Sequence, residues 1–338
     1  MRILFAGTPE IASPSLAMLV ESQIESGGAV CRVSGILTNP DAIVGRRREL
    51  KPSAVCAQAN KLSALLEQAG FPAFNVHKFN KISAEEIAEI AKKKYDILIA
   101  FAYGVIFPPE FLAVFPLGAI NIHPSLLPRW RGPSPIEAAI LNRDKETGVT
   151  IQRIAQEIDS GEILAQECWP LTGEETGGGL SAVVAEKASV MLAAWVKKVA
   201  EAGFVHFAGR AQDESKATFC EKFNRQSARI DWYKSAASID AQIRAFSPGL
   251  LCWTECGTQI VNILEGTFLT DKMYFPSQLG VEAGKEPGTV LGAGKTGVFI
   301  QCGRGLYCAS VLQYQTKKAL DFHSFLNGAK NFIGTKLG

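Results

Sequence analysis

Asn121-Ile122-His123 sets a carboxamide and an imidazole two residues apart, the spacing that turns both to one side of a β-strand while Ile120 and Ile122 face the other. Farther along, Asp159 lies in Ile158-Asp159-Ser160-Gly161, a polar turn between two apolar runs. A hydrogen-bond donor, a group able to act as acid or base, and an orienting carboxylate are the minimal kit for addition to a carbonyl. Each residue also has a plainer reading: the Asn and His satisfied by loop backbone, the Asp closing an Asx-turn. Spacing alone leaves both open.

Other chemistries find less support. Gly7 ends a strand-like run as in a dinucleotide site, but Gly-x-Gly-x-x-Gly is missing, and Thr8-Pro9 fills the place where a pyrophosphate needs close backbone approach. Gly177-Gly178-Gly179 is followed by no Gly-Lys-Ser/Thr, and neither Ser125 nor Ser160 sits in Gly-x-Ser-x-Gly, so a phosphate loop and a serine hydrolase are set aside. The eight cysteines include no Cys-x-x-Cys pair and the four histidines lack zinc-ligand spacing, so no metal is expected. Arg46-Arg47-Arg48 with Lys51 reads as a solvated charge run, or as a basic loop beside an active-site mouth suited to a phosphate-bearing substrate.

Such residues need a frame, and 338 residues suffice for two domains. A composition 47% hydrophobic and 20% charged is globular, and a net charge of +2 gives no strongly basic field. The apolar stretch in MRILFAGTPE is too short for a signal peptide, and no apolar run reaches about 18 residues, so neither secretion nor a membrane span is expected. Scattered thiols suit a reduced, cytoplasmic protein.

Short apolar runs alternate with helical patterns through the first 200 or so residues, the mark of a mostly parallel sheet covered on both faces. Strands are expected at 3–6, 33–37, 95–102, 119–122, 149–155 and 163–170, with helices from Pro9, over 52–69 and over 180–202. Ser134-Pro135-x-Glu137 reads as a capping box opening another helix. Asn121 and His123 then fall at the carboxyl end of a strand, the rim where such sheets bind ligands. Domain 1–203 is followed by a connector, 204–218, without clear period, and by a domain 219–338. There a helix at 235–245 gives way to short strands with glycine turns, suggesting a small β-barrel or sandwich. This last part is the more basic, with 13 Lys and Arg against 9 Asp and Glu.

Asn121-Ile122-His123-Pro124-Ser125-Leu126-Leu127-Pro128, then Arg131-Gly132 and later Asp159-Ser160-Gly161, resembles the folate-dependent formyltransferases. Phe5-Ala6-Gly7-Thr8-Pro9-Glu10, the Gly45-Arg46 loop, Ala102-Tyr103-Gly104, Arg129-Trp130-Arg131-Gly132 and Ala228-Arg229-Ile230-Asp231-Trp232 resemble the members whose acceptor is methionyl-tRNA. The chain departs from their pattern at Ala42, where they carry Arg, and at Ser247-Pro248-Gly249-Leu250. The resemblance implies an α/β fold: a Rossmann-like catalytic domain with a mostly parallel sheet, then an OB-like small β-barrel that binds tRNA. It also implies transfer of a formyl group from 10-formyltetrahydrofolate, a co-substrate, to the α-amine of initiator methionyl-tRNA for translation initiation. The catalytic roles fall to Asn121, His123 and Asp159. Folate binding falls to Ser125, Leu126, Leu127, Pro128, Tyr103 and Gly104, and tRNA binding to Arg46, Arg47, Arg48 and Lys51. A cytoplasmic monomer without metal or membrane is expected. The alternatives are a formyltransferase for an amino-sugar nucleotide and a catalytically silent RNA-binding scaffold.

Overall fold

A computed structural model describes residues 1–45, 48–202, 209–269 and 284–338, which form two compact units. The first comprises Met1–Gly132, Glu146–Trp169 and Ser181–Phe219; the second comprises Pro133–Lys145, Pro170–Leu180 and Cys220–Gly338. Two short excursions, 133–145 and 170–180, thus join the second unit ahead of the expected connector. Arg46, Arg47 and residues 204–208 of that connector lie outside the described residues.

In the first unit, β1 (Arg2–Gly7) leads through a 3-10 turn to α1 (Ser13–Glu25), β2 (Arg32–Thr38), β3 (Ala42–Val44), β4 (Glu49–Lys51) and α2 (Ala54–Gln68). There follow β5 (Asn75–Lys78), α3 (Ala84–Lys93), β6 (Ile97–Phe101), α4 (Pro109–Leu112) and β7 (Ala119–His123). After α5 (Pro135–Leu141), which belongs to the second unit, come β8 (Glu146–Arg153), β9 (Ile163–Pro170) and α6 (Gly177–Glu201). The strand order is β5-β2-β1-β6-β7-β8-β9, parallel from β5 to β7, with β8 antiparallel to β7. Successive crossovers leave β1 in opposite directions, which opens a crevice at the carboxyl ends of β1 and β6. Fully buried runs such as Ile97–Phe101 suit a sheet covered on both faces.

Several local readings change. On either side of the expected basic loop, β3 pairs with β4 in a two-stranded ribbon, whose Ile43 and Leu50 stand opposite each other and exposed. β5, α3 and α4 were not anticipated. The capping box at Ser134 does not form: its backbone is bent (φ −138°, ψ 51°) away from the extended cap conformation, and its side chain makes no cap bond. Instead its N–H donates to Cys220 Sγ at 3.4 Å. Glu137 lies half-buried, and burial pushes its carboxyl pKa up. A working capping box opens α3, where Ser83 N–H donates to Glu86 Oε2 at 2.8 Å. By length and composition α6 could cross a membrane, although no long apolar run was read there. Its stripe Val184, Ala188, Leu192, Val196 and Val199 is buried, as in a core helix.

The second unit carries α7 (Ala236–Phe246), capped by Ser235 and packed with α5. Its sheet is built from β10 (Cys252–Cys256), β11 (Gln259–Leu269), β12 (Val290–Ala293), β13 (Val298–Gln301), β14 (Leu306–Tyr314) and β15 (Leu320–Asp321), followed by α8 (Phe322–Gly328). The order β10-β11-β14-β13-β12 is antiparallel, with β15 beside β14. The last residues bridge its two edges: Glu255 N–H donates to Gly338 O at 2.8 Å on the β10 side, and Val290 N–H to Thr335 O at 2.9 Å on the β12 side. That tail closes the sheet into a small barrel.

Candidate active site

β7 delivers Asn121 and His123 to the crevice rim, and the cross-strand register sets Gln152 opposite Asn121 and Thr150 opposite His123. Asp159 reaches them from the turn between β8 and β9. That turn depends on Gly161, where a Cβ would lie 1.9 Å from the carbonyl oxygen of Arg153. Asn121 Nδ2 donates to Asp159 Oδ1 at 3.4 Å, and His123 Nδ1 faces Asp159 Oδ2 at 3.5 Å. The three expected side chains therefore meet.

The surroundings restrict what each can do. His123 is 3% exposed, and its Nε2 lies 2.8 Å from the carbonyl oxygen of Trp130. Trp130 holds its carbonyl there from a left-handed conformation, φ 57°. Asp159 Oδ2 also accepts from Gly132 N–H at 2.9 Å, and Oδ1 accepts from Gln152 Nε2 at 2.7 Å.

The loop expected to bind a pterin is internally tied. Ser125 Oγ donates to Arg129 O at 2.6 Å, and Thr150 Oγ1 donates to Ser125 O at 2.7 Å. Leu127 N–H donates to Thr150 Oγ1 at 3.3 Å, and its carbonyl accepts from Gln166 Nε2 at 3.0 Å. Leu127-Pro128 is a cis peptide. Ser125 and Leu127 are buried, leaving Leu126 and Pro128 half-buried. Tyr103 is buried, its hydroxyl donating to Phe79 O at 2.8 Å, while its carbonyl accepts from Thr8 Oγ1 at 3.1 Å. Gly104 is exposed. On the ribbon, Arg48 is exposed, and Lys51 pairs with Glu49 at 3.3 Å in an exposed ion pair.

Two polar partners of Asp159 escaped the sequence reading. Gln152 was legible in principle, since Thr150 and Gln152 repeat the period-2 polar pattern of Asn121 and His123. Gln212 lies in the expected connector, whose described part packs on this unit: Arg210 exchanges backbone bonds with Ile163, and Arg131 N–H donates to Thr218 O at 2.8 Å.

The family profile for formyl transferases matches residues 1–196, and that for the formyl transferase C-terminal domain matches residues 222–330. A methionyl-tRNA formyltransferase of Treponema denticola is 38% identical over 98% of this chain and 98% of its own length. HypX from Aquifex aeolicus, solved with tetrahydrofolic acid, has a TM-score of 0.57 at 16% identity, covering 98% of this chain and 48% of that one. This chain spans about half of HypX. WlaRD, a sugar 3N-formyl transferase solved in the presence of dTDP and 5-N-formyl-THF, has a TM-score of 0.59 at 18% identity, covering 94% of this chain and 99% of that one. The last two likenesses are of fold.

Proposed function

The chain belongs to the formyl transferase family and, within it, to the methionyl-tRNA formyltransferases; on that premise we propose that Asn121, His123 and Asp159 carry formyl transfer from 10-formyltetrahydrofolate to the α-amine of methionyl-tRNA. The observation carrying this reading is the meeting of a carboxamide, an imidazole and a carboxylate at one rim. The residues present suit such a donor. The rim offers N–H donors and an acceptor, and the loops after β7 and β6 present half-buried Leu126 and Pro128 and the exposed Gly104. When bound, the folate supplies a formyl carbon on a nitrogen leaving group.

An α-amino group has an ordinary pKa of about 7.7–8.0, so part of it is neutral near pH 7 and needs placing more than deprotonating. Asn121 Nδ2 donates to the formyl oxygen as negative charge builds there, an interaction of a kind worth roughly 3–4 kcal/mol when preorganised. Asp159 receives the amine proton as that nitrogen bonds to the formyl carbon; the carbon's bond to the folate nitrogen breaks, and the folate nitrogen leaves carrying a proton. The ring of His123, held between Asp159 and the Trp130 carbonyl, orients that carboxylate. Arg46, Arg47, Arg48 and Lys51 contact the acceptor arm, and residues 219–338 hold its stem. The enzyme works as a monomer in the cytoplasm, making formylmethionyl-tRNA for initiation.

A formyl-transfer assay with the folate donor tests this reading by comparing acceptors. Turnover is expected with methionyl-tRNA and not with uncharged tRNA or an amino-sugar nucleotide; comparable turnover with the sugar would reassign the acceptor.

A further inference from the structure

Asp159 Oδ1 has its shorter contact with Gln152, not Asn121: 2.7 Å against 3.4 Å. Gln152 is 1% exposed and stands across from Asn121 on β8. With Oδ1 taken by Gln152 and Oδ2 by Gly132 N–H, the carboxylate is gripped at both oxygens, and Oδ2 is the one turned to His123. The backbone is gripped as well. Asp159 adopts φ 53°, a left-handed conformation uncommon outside glycine that persists where surroundings impose it. Gln212 Nε2 donates to Asp159 O at 2.8 Å and to Gly161 O at 2.7 Å, bridging the turn from inside. Gln212 Oε1 in turn accepts from Arg131 Nη2 at 2.8 Å, and buried Arg131 pairs with Glu214 at 2.6 Å. The two carboxamides approach each other at 3.4 Å.

Resting on the catalytic reading of Asp159, we propose that Gln152 and Gln212 are positioning residues for this reaction: Gln152 fixes the rotation of the Asp159 carboxylate and Gln212 fixes the backbone that presents it. A carboxamide suits both tasks, because it donates to the carboxylate and to the turn carbonyls without adding charge. Neither residue touches the reacting atoms. Misplacement of a reacting group by about 1 Å can cost on the order of a hundredfold in rate, so the effect belongs in turnover.

The test uses the full chain and the near-isosteric variants Gln152→Glu and Gln212→Glu, with Gln152→Met as a neutral companion. Expected is a fall in kcat of about tenfold or more, with KM for both substrates within about twofold, assayed at a temperature where circular dichroism shows each variant folded. For Gln152→Glu the loss should lessen as pH falls, because the introduced carboxyl regains a hydrogen to donate when protonated; a purely structural role would not give that recovery. Turnover within twofold of the parent in both Glu variants, or a loss confined to KM, overturns the proposal. Asp159→Asn separates the two levels. Collapse of turnover there with intact Gln variants sinks the positioning role alone, whereas undiminished turnover sinks the catalytic reading beneath it.

Discussion

At the scale of single residues, what a side chain can do is set by its partners. His123 and His77 are both almost fully buried, yet they face different neighbours. His77 Nδ1 pairs with Glu89 at 2.5 Å and Nε2 meets the Tyr95 hydroxyl at 3.1 Å; burial outweighs Glu89 and holds the His77 pKa below its ordinary value. The same enclosure lifts Tyr95 to about 12. On unfolding His77 regains a pKa of about 6.5, so at lower pH the unfolded chain takes up a proton that the folded chain resists. Stability is therefore lost as pH falls from about 6.5 towards the folded value. Melting temperatures measured between about pH 7 and 5 should fall less steeply for His77→Gln than for the parent; an equal slope would remove His77 as a cause. The catalytic candidates were legible as residues because a period of two and an Asp-Ser-Gly turn are local signals. Gln212 was not, since its role comes from a chain segment returning to Asp159 across 53 residues.

At the scale of elements, long apolar runs identified the central strands, while short or polar pieces went unread. β3 and β4 have three residues each, and Ala42, Ile43 and all of β4 are exposed, so no burial pattern marks them. α3 is amphipathic, with Ile87 and Ile90 turned to the core and Ser83-x-x-Glu86 as its capping box, so its signals stand in the sequence although no helix is expected there. The barrel's closure was also invisible, because Thr335–Gly338 carry no strand pattern and act through backbone bonds to Glu255 and Val290. Leu337 anchors that tail at 1% exposure, and Gly288 makes room for it: a Cβ there would lie 2.3 Å from Leu337 O. Leu337→Ala removes a buried side chain at the seam and should cost about 2–4 kcal/mol in urea unfolding. Lys336→Ala, next to it, loses only a solvent-exposed pairing with Glu286 and should be close to neutral. Equal effects would mean that the seam does not hold the barrel.

At the scale of the whole molecule, the net charge of +2 hides an uneven distribution, with 13 basic against 9 acidic residues in 219–338 and the Arg46-Arg47-Arg48 run far from it in sequence. Two alternating patterns, one parallel and one antiparallel, made both halves of the fold legible. The excursions 133–145 and 170–180 were not, because helix and strand periodicity says which face is buried and not which unit buries it. The role proposed for this charge is to meet the phosphates that lie along the acceptor tRNA. Each phosphate neutralised by Lys or Arg releases counterions, so affinity for methionyl-tRNA should fall with salt, with a logarithmic slope set by the number of such contacts. Arg46→Ala should weaken methionyl-tRNA binding and make that slope shallower by about one, with folate affinity nearly unchanged. If the variant instead loses folate affinity and keeps the salt slope, Arg46 serves the donor and the acceptor approaches from elsewhere.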